Sequence, residues 1–368
     1  MNERNYSRRA CLGAAAGTLS AFSVAGTRSA SAETNEIPTV GITGYYYDRV
    51  RAIQDGRLGL DGFDVRFQPG DIYGMNRQVF GTERTFEVSE TGLIPFLMRF
   101  ANEDFRAYSL IPVFISRTFR HRNIYVRTDS GIEKPEDLRG KRVGTPGYSM
   151  SSHTWIRGFL QDVYGVRPDE MRWIETASSD GAKLNSDYEA FFLPEDFPIK
   201  KGAKGVDESE MIIAGEVDAL ITAIEPKAYS EGHPKVRRLF PNVAATEKEY
   251  FRKTGVFPIM HAVAVRKDFA DANPGLPSAI FSMYSRAKQA AYDDLGSVGA
   301  LRVSLPWASQ ELQDTKALMG DNFWKYGVDA NRKELELAMR YVHEQGLAKR
   351  RLSVEEVFHP STLNLTEA

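Results

Sequence analysis

The sequence predicts an α/β fold with two lobes. Short β-like runs alternate with helical patterns along the 368 residues, and such alternation is typical of an α/β protein. The length corresponds to about two domains at roughly 100–200 residues each. Turn-forming stretches at residues 131–135 and 254–258 interrupt the pattern and predict a chain that leaves one lobe and returns to it. We therefore expect residues 33–130 and 255–368 to form lobe 1, and residues 131–254 to form lobe 2.

Eleven segments carry the secondary-structure signal. The strand-like runs are residues 39–43, 63–67, 86–89, 123–126, 142–144 and 219–222, and the helical patterns are residues 92–101, 152–163, 208–215, 277–291 and 332–345. The helix predicted at 277–291 places its apolar side chains at three- and four-residue spacing, which predicts one face against the core. A weakly periodic stretch at residues 180–206 predicts a long loop on lobe 2.

The first 32 residues predict a signal peptide. The paired Arg8 and Arg9 precede an apolar run at residues 13–26, and small residues at Ala30 and Ala32 follow it. This order of charged, apolar and small-residue zones is typical of an export signal. The arginine pair resembles a twin-arginine signal, so we expect a periplasmic protein. The small residues Ala30 and Ala32 predict cleavage after Ala32. A short buried helix is the alternative, which the glycines of the run disfavour.

Composition excludes several classes of function. The chain has 47 basic and 49 acidic residues, so no broad positive field predicts a nucleic-acid partner. The single cysteine, Cys11, excludes intramolecular disulfides and thiolate clusters, and it precedes the apolar run, where lipidation does not occur.

No later stretch reaches the 18 or more apolar residues of a membrane span, so we expect no stable membrane insertion after signal removal. The six histidines show no metal-ligand spacing, and we expect no metal and no cofactor.

Three strand-to-helix junctions carry candidate ligand-binding residues. Free backbone N–H groups and the helix dipole favour negative charge at such junctions. The candidates are Tyr47, Asp48 and Arg49 at the first junction, Ser89 at the second, and Tyr148, Ser151, Ser152 and Trp155 at the third. Helix capping is the alternative role for Asp48 and the favoured one for Ser89.

A dense cationic run at residues 116–122 follows the second junction. Arg117 and Arg120 are three residues apart, a spacing that in a loop suits a bidentate grip on a carboxylate. A solvated surface is the usual alternative for a charge run. His261 lies in an apolar stretch, where a satisfied core histidine is the more frequent role and a ligand-facing histidine the other.

Eight short segments in order resemble one known family. They are residues 47–49, 87–89, 114–121, 155–158, 215–220, 257–261, 330–332 and 343–347. Their order and spacing resemble the 4,5-dihydroxyphthalate decarboxylase family, and the likeness covers nearly the whole mature chain. The resemblance implies the type 2 periplasmic solute-binding protein fold of the NMT1/THI5-like kind: two lobes, each a mixed sheet flanked by helices, with a ligand cleft between them. It also implies a small aromatic carboxylate as ligand.

Two functions of different classes follow. The first is an exported solute-binding protein that delivers a phthalate-like carboxylate to an ABC permease. Arg117 and Arg120 would bind the carboxylate with the helix start, Tyr47, Tyr148 or Trp155 would stack on the ring, and Asp48, Ser89 or His261 would recognise hydroxyl groups. The second is a non-oxidative decarboxylase, for which the candidate acids are Asp48, His121, His153 and His261. A periplasmic sensor subunit is a third, weaker possibility.

Overall fold

The computed structural model describes residues 37–177, 192–193, 197–203, 206–297 and 299–367. The predicted signal peptide lies outside these residues, as does most of the predicted loop at 180–206. The described part of the chain forms one compact unit.

Lobe 1 is built on a five-stranded sheet with the order β2-β1-β3-β11-β4. Its strands are β1 (Thr39–Gly44), β2 (Asp64–Pro69), β3 (Val88–Gly92), β4 (Tyr108–Arg117) and β11 (Ile259–Arg266). β1 runs parallel to β2 and β3, whereas β11 runs antiparallel to β3 and β4. The sheet is mixed because β11, which follows the second lobe in the chain, runs antiparallel to both of its neighbours.

Lobe 2 is built on a six-stranded sheet with the order β10-β5-β9-β6-β7-β8. Its strands are β5 (Ile124–Arg127), β6 (Arg142–Thr145), β7 (Arg172–Glu175), β8 (Lys200–Lys201), β9 (Ala219–Ile221) and β10 (Val236–Arg238). β6 pairs in parallel with β7 and β9, so the carboxyl ends of these three strands meet at one edge. Such an edge is where ligands collect in α/β sheets.

Twelve α-helices lie within the described residues. They are α1 (Arg51–Gln54), α2 (Ile72–Phe80), α3 (Leu93–Asn102), α4 (Ser151–Tyr164), α5 (Glu208–Ala214), α6 (Lys227–Ser230), α7 (Val243–Thr254), α8 (Lys267–Ala272), α9 (Leu276–Gly296), α10 (Ala308–Met319), α11 (Arg332–Glu344) and α12 (Val354–Val357). The five predicted helices are confirmed as α3, α4, α5, α9 and α11, and all six predicted strands are present. The predicted apolar face of α9 is buried: Ile280, Met283, Tyr284, Ala287 and Ala291.

The chain crosses between the sheets twice. The first crossover is residues 118–123, between β4 and β5, and the second lies between β10 and β11. The first crossover therefore precedes the boundary we predicted at residue 130. The physical reason is that β5 pairs with β9 and β10 and so belongs to the second sheet. The turn-forming stretch at residues 131–135, which we predicted to mark that boundary, follows β5 instead.

Helix α4 joins the two lobes. Its Trp155 indole donates to the backbone oxygen of Ile259 at 2.8 Å, at the start of β11 in lobe 1. Its Asp162 accepts a 2.6 Å hydrogen bond from the Tyr341 hydroxyl of α11. Helix α11 approaches so closely that a Cβ atom at Gly158 would overlap the Tyr341 ring. These contacts, from Trp155 to Asp162, fix this length of α4 against lobe 1.

Candidate functional site

A partly open pocket of about 200 Å³ lies between the two lobes. A cavity of about 150 Å³ holds a benzene molecule, so this pocket has the size of a single-ring ligand. Lobe 1 lines it with Tyr45, Ile72, Tyr73, Asn76, Gly92, Pro95, Met260 and His261, lobe 2 with Met150, Ser151, Ser152, Ala223 and Ile224, and the first crossover with Arg120. Both lobes therefore contribute to one binding surface.

Arg120 supplies a positive charge to this pocket. Its three hydrogen bonds go to neutral acceptors: Met260 Sδ at 3.4 Å, Ala223 O at 3.4 Å and Asn123 Oδ1 at 3.5 Å. The two contacts to oxygen are long for hydrogen bonds of a guanidinium, and the thioether sulfur is a weak acceptor. Among the described residues no carboxylate forms an ion pair with Arg120. Burial, followed by the charge of Arg122, lowers the pKa of Arg120 to about 10, and the more distant charge of Glu247 offsets part of this shift. The side chain therefore remains charged at neutral pH without a carboxylate in direct contact among the described residues.

The start of α4 faces the same pocket. Ser151 and Ser152 are the first two residues of the helix and both line the pocket. The N-cap residue, Met150, offers no side-chain acceptor to the first turn. The Ser151 hydroxyl accepts from the backbone N–H of Ile94 at 3.1 Å, which links α4 to α3 of lobe 1. A helix start beside an arginine without a contacting carboxylate favours an anion.

On the lobe 1 wall of the pocket, the imidazole of His261 lines the surface and the carboxylate of Glu90 supports it from behind. Glu90 on β3 is buried, and its Oε1 lies 2.6 Å from Nδ1 of His261 on β11. The same oxygen accepts from the Tyr47 hydroxyl at 2.9 Å, and Oε2 accepts from the backbone N–H of Tyr45 at 3.0 Å. Antiparallel pairing of β3 with β11 brings the two side chains together. The pair can orient a ligand or transfer a proton.

Two tyrosines of the loop after β1 hold this wall in place. The Tyr45 ring stacks on His261 with the centroids 6.3 Å apart, and its hydroxyl accepts from the backbone N–H of Ile72 at 3.0 Å. Burial raises the pKa of both Tyr45 and Tyr47. Both phenols are therefore neutral donors or acceptors at physiological pH. Tyr47 does not line the pocket but lies behind Glu90.

Arg117 occupies a different place from the one we predicted. Its guanidinium is buried away from the pocket and donates to Glu334 at 2.9 Å, to Asn331 at 2.6 Å and to the backbone oxygen of Phe257 at 2.5 Å. Arg117 is the last residue of β4, and Glu334 of α11 pairs with its charge inside the packed lobe. Arg120 lies beyond the strand end, on the crossover, and reaches the pocket.

The other candidates of the first two junctions also have structural partners. Asp48 is exposed and its carboxylate accepts from the backbone N–H of Arg49 at 2.7 Å. Arg49 lies between two rings, 3.9 Å from the centroid of Tyr47 and 4.1 Å from that of Trp324. Ser89 donates to the backbone oxygen of Glu90 at 2.9 Å. None of Asp48, Arg49 and Ser89 is among the residues that line the pocket.

The aromatic candidates of the third junction lie outside the pocket as well. Trp155 is fully buried, where its indole bonds to β11. The Tyr148 ring packs on Trp173, with centroids 5.1 Å apart, and covers the Arg157 guanidinium at 3.5 Å. Both side chains build lobe 2 and its contact with lobe 1. The ring that lines the pocket near His261 is Tyr45.

Of the three histidines that we predicted as candidate acids, His121 and His153 are packed in the interior. His121 stacks on Phe159 with the centroids 4.2 Å apart, and burial lowers its pKa to about 4. His153 is fully buried with Nδ1 against the Gly147 backbone oxygen and Thr145, and burial lowers its pKa to about 3. Both are neutral at physiological pH and neither lines the pocket. His261 is thus the predicted histidine that faces it.

Ten residues that line the pocket were not among the sequence candidates, including Ile72, Tyr73, Gly92, Pro95, Ala223 and Ile224. Tyr45, Asn76, Met150 and Met260 line the pocket, and Glu90 supports His261. Tyr45 and Glu90 each adjoin a predicted junction, so a signal was present for both. Asn76, Met150 and Met260 carried none. Within the described residues, no group of three or more acidic, histidine or cysteine side chains is arranged to hold a metal ion, and no helix is long and apolar enough to cross a membrane.

Comparison with known proteins identifies the family. A relative from Comamonas testosteroni named 4,5-dihydroxyphthalate decarboxylase is 33% identical over 317 residues, which cover 86% of this chain and 95% of that protein. The chain belongs to the 4,5-dihydroxyphthalate decarboxylase family. The family model described as NMT1/THI5 like matches residues 115–191, a range that includes both Arg120 and the start of α4.

Solved structures share the architecture at low sequence identity. A DSZB mutant in complex with biphenyl-2-sulfinic acid has a TM-score of 0.51 at 17% identity and covers 89% of this chain and 98% of its own. The periplasmic aliphatic sulphonate binding protein SsuA from Escherichia coli has a TM-score of 0.48 at 13% identity and covers 87% of this chain and 97% of its own. The two sheets of this protein, together with the likeness to the DSZB structure, confirm the predicted fold of two lobes of mixed sheet flanked by helices.

Proposed function

We propose that this protein is an exported solute-binding protein that binds a small aromatic carboxylate between its lobes and presents it to an ABC permease. One observation carries the proposal: Arg120 is a charged residue in a pocket of ring size, and neutral groups alone hold it. A buried charge is stable when it is paired. The carboxylate of a ligand would supply a counter-ion in direct contact.

The start of α4 adds to the positive potential that Arg120 creates in the pocket. The first-turn N–H groups of α4 and the Ser152 hydroxyl would donate to the second oxygen of the carboxylate, or to a second carboxylate on the ring. The Tyr45 ring and the thioether of Met260 or Met150 would contact the aromatic face, because sulfur and rings pack favourably. This arrangement favours a flat anion over an aliphatic one.

Transport requires export and a moving cleft. The paired Arg8 and Arg9 support passage to the periplasm, with cleavage after Ala32. The two crossovers allow the lobes to hinge, and a ligand that contacts Arg120 and α4 together would favour the closed arrangement. Delivery to a permease is the role that follows for a periplasmic protein of this kind.

Decarboxylation is the second candidate, and the His261–Glu90 pair favours it. In that reaction the ring carbon that bears the carboxylate takes a proton, the carbon–carbon bond breaks, its electrons remain with the ring, and CO2 leaves. His261 faces the pocket, and its Glu90 partner stabilises the protonated imidazole. The relative from Comamonas carries the name of such an enzyme.

One experiment separates the two functions. The mature protein from Glu33 onward would be titrated with phthalate, 4,5-dihydroxyphthalate, protocatechuate and aliphatic dicarboxylates in a calorimeter, and each mixture would then be assayed for CO2. Tight binding of an aromatic acid that is recovered intact supports the binding protein. Release of CO2 supports the decarboxylase instead. Absence of binding by every acid refutes both.

A further inference from the structure

We infer that this protein pairs with a second copy of itself, with Trp307 of each copy inserted into a groove between α1 and α9 of the other. The pairing is independent of the proposed function, because none of the residues involved lines the ligand pocket. Two features carry it: an exposed apolar arm that follows α9, and a groove on the same helix that matches the arm in size and chemistry.

The arm is the chain from residue 299 to the end of α10. Three large apolar side chains are exposed in it: Trp307 is 73% exposed, and Leu301 and Leu305 are each 49% exposed. Of the twelve residues of α10, Ala308 alone is buried. Exposed apolar side chains that are grouped in this way mark interaction surfaces in soluble proteins. The described part of the chain leaves these three side chains uncovered, so the arm has the character of such a surface.

Trp307 is the anchor of the arm. Tryptophan is enriched among the few residues that carry most of the binding energy at protein interfaces. Its indole N–H forms no hydrogen bond within the described part of the chain. A site that takes this side chain must offer apolar surface to the rings and an acceptor to the nitrogen.

An open groove of about 330 Å³ lies between α1 and α9. The buried and half-buried part of its lining is apolar, whereas the exposed part is polar. The apolar residues are Ala52, Leu58 and Ala290, and the polar ones are Arg57, Arg286, Gln289 and Asp293. A cavity of about 150 Å³ holds a benzene molecule, so the groove has room for the two fused rings of an indole.

The polar rim of the groove suits an indole as well. Arg286 forms no ion pair with any described residue, so its guanidinium is available to lie over an aromatic ring. Arg57, in contrast, pairs with Asp55 at 2.8 Å. The Asp293 carboxylate accepts from the Gln289 amide at 2.9 Å and has further acceptor positions for the indole N–H.

The arm and the groove lie on the same helix, which favours a two-fold pair. The arm follows Gly296, where α9 ends, and the groove is lined by residues 286–293 of α9. In a two-fold interface the same patch of both copies is in contact, so every contact occurs twice. A two-fold axis near the end of α9 would place each arm beside the groove of the other copy. A second copy therefore covers the arm and the groove of both molecules at once, which a partner for the arm alone would not do.

The test is sedimentation velocity of the mature protein from Glu33 onward, without ligand, from about 1 to 100 μM, because association follows mass action. We expect a dimer whose fraction rises with concentration. Trp307→Ala should weaken dimerisation about 100-fold or more, because an anchor is lost from both copies of the contact. Tyr46→Ala is the matched control, since it removes a ring of similar exposure, 74%, from the loop after β1 and should leave the dimer unchanged.

A second variant tests the groove. Ala290→Arg fills it with a long side chain and keeps a good helix-forming residue in α9, so it should weaken dimerisation as Trp307→Ala does. Trp307→Ala retains an intact groove and Ala290→Arg retains an intact tryptophan, so a mixed pair keeps one of the two contacts. An equimolar mixture of the variants should therefore associate about tenfold or more tightly than either variant alone.

The outcomes separate this inference from the proposed function. A wild-type protein that stays monomeric throughout the concentration range overturns the inference. A dimer that Trp307→Ala or Ala290→Arg leaves intact also overturns it, because the interface then lies elsewhere, and so does a mixture that associates no better than its components. Trp307 is a surface residue, so its variant decides the matter should Ala290→Arg fail to fold. Failure to bind any aromatic acid overturns the proposed function and leaves the pairing standing.

Discussion

Replacing Arg117 and Arg120, two arginines three residues apart, should have different effects. Arg120→Gln removes a charge that no carboxylate of the described residues contacts, and Arg117→Gln removes the partner of Glu334 at 2.9 Å. We expect the first change to weaken ligand binding without lowering stability. The second should lower stability without a specific effect on binding. Each variant is the control for the other, because both delete a guanidinium and introduce the same amide.

The magnitudes follow from the contacts. A charge-assisted hydrogen bond contributes about 1.5–3 kcal/mol, so Arg120→Gln should weaken carboxylate binding about 10- to 150-fold at about 1.4 kcal/mol per tenfold. The lowered pKa of Arg120, about 10, means that the ligand-free protein destabilises the charged guanidinium by about 3 kcal/mol at most. Arg120→Gln removes that charge and should regain part of this free energy as stability. Breaking a buried ion pair costs about 3–5 kcal/mol, which is the loss expected for Arg117→Gln.

The assay combines urea unfolding of the free proteins with calorimetric titration of the folded ones. Wild-type affinity in Arg120→Gln would refute the assignment of Arg120 to the anion site. A loss of stability in that variant as large as in Arg117→Gln would refute the view that no carboxylate pairs with its charge. Weaker binding in Arg117→Gln, with an unchanged fraction of folded protein, would place Arg117 in the site after all.

Three further changes test the fold, the buried histidines and the export signal. Gly158→Ala should lower the free energy of unfolding by about 1–3 kcal/mol, because the added methyl group overlaps the Tyr341 ring in a packed interface; wild-type stability in urea would contradict that packing. Burial lowers the pKa of His121 in the folded protein to about 4. As the pH drops, the unfolded chain therefore takes up a proton at this histidine before the folded chain does. The free energy of unfolding should fall between about pH 6.5 and pH 4, by about 1.4 kcal/mol per pH unit from this group. His121→Phe should flatten that acid limb, and an unchanged slope of unfolding free energy against pH would exclude the histidine as its source. Joint replacement of Arg8 and Arg9 by lysine should leave uncleaved precursor in the cytoplasm, and normal release of a protein beginning at Glu33, seen by N-terminal sequencing of the periplasmic fraction, would argue against a twin-arginine signal.

The local pattern of the chain was sufficient to predict many of its elements. Helix α9 shows why: its apolar residues recur at helical spacing, and burial of that face against the core is what stabilises such a helix. The strands that were missed, β4, β7, β8, β10 and β11, depend on partners elsewhere in the chain, and β8 lies within the stretch predicted as a loop at residues 180–206. β11 pairs with β3, some 170 residues away, as in the register of Val263 with Glu90.

The site residues, too, divide into those that the local sequence indicates and those that depend on distant partners. Arg120, Ser151, Ser152 and His261 could be found from the sequence because a charge run, a helix start or a polar residue in an apolar stretch marks each of them. Arg117 carried the same signal as Arg120, and nothing local distinguishes a guanidinium at the end of a strand from one three residues further on. The difference arises from Glu334, which lies 217 residues away along the chain.

The sequence by itself therefore determined the α/β class, the family resemblance and the short list of residues able to bind an anion. Periodicity, turn residues and side-chain chemistry act over a few neighbouring positions and can be read directly. Only the tertiary structure decided which members of that list share the pocket. The partners that neutralise Arg117, leave Arg120 unpaired and join Glu90 to His261 come from distant segments, and long-range packing brings them together.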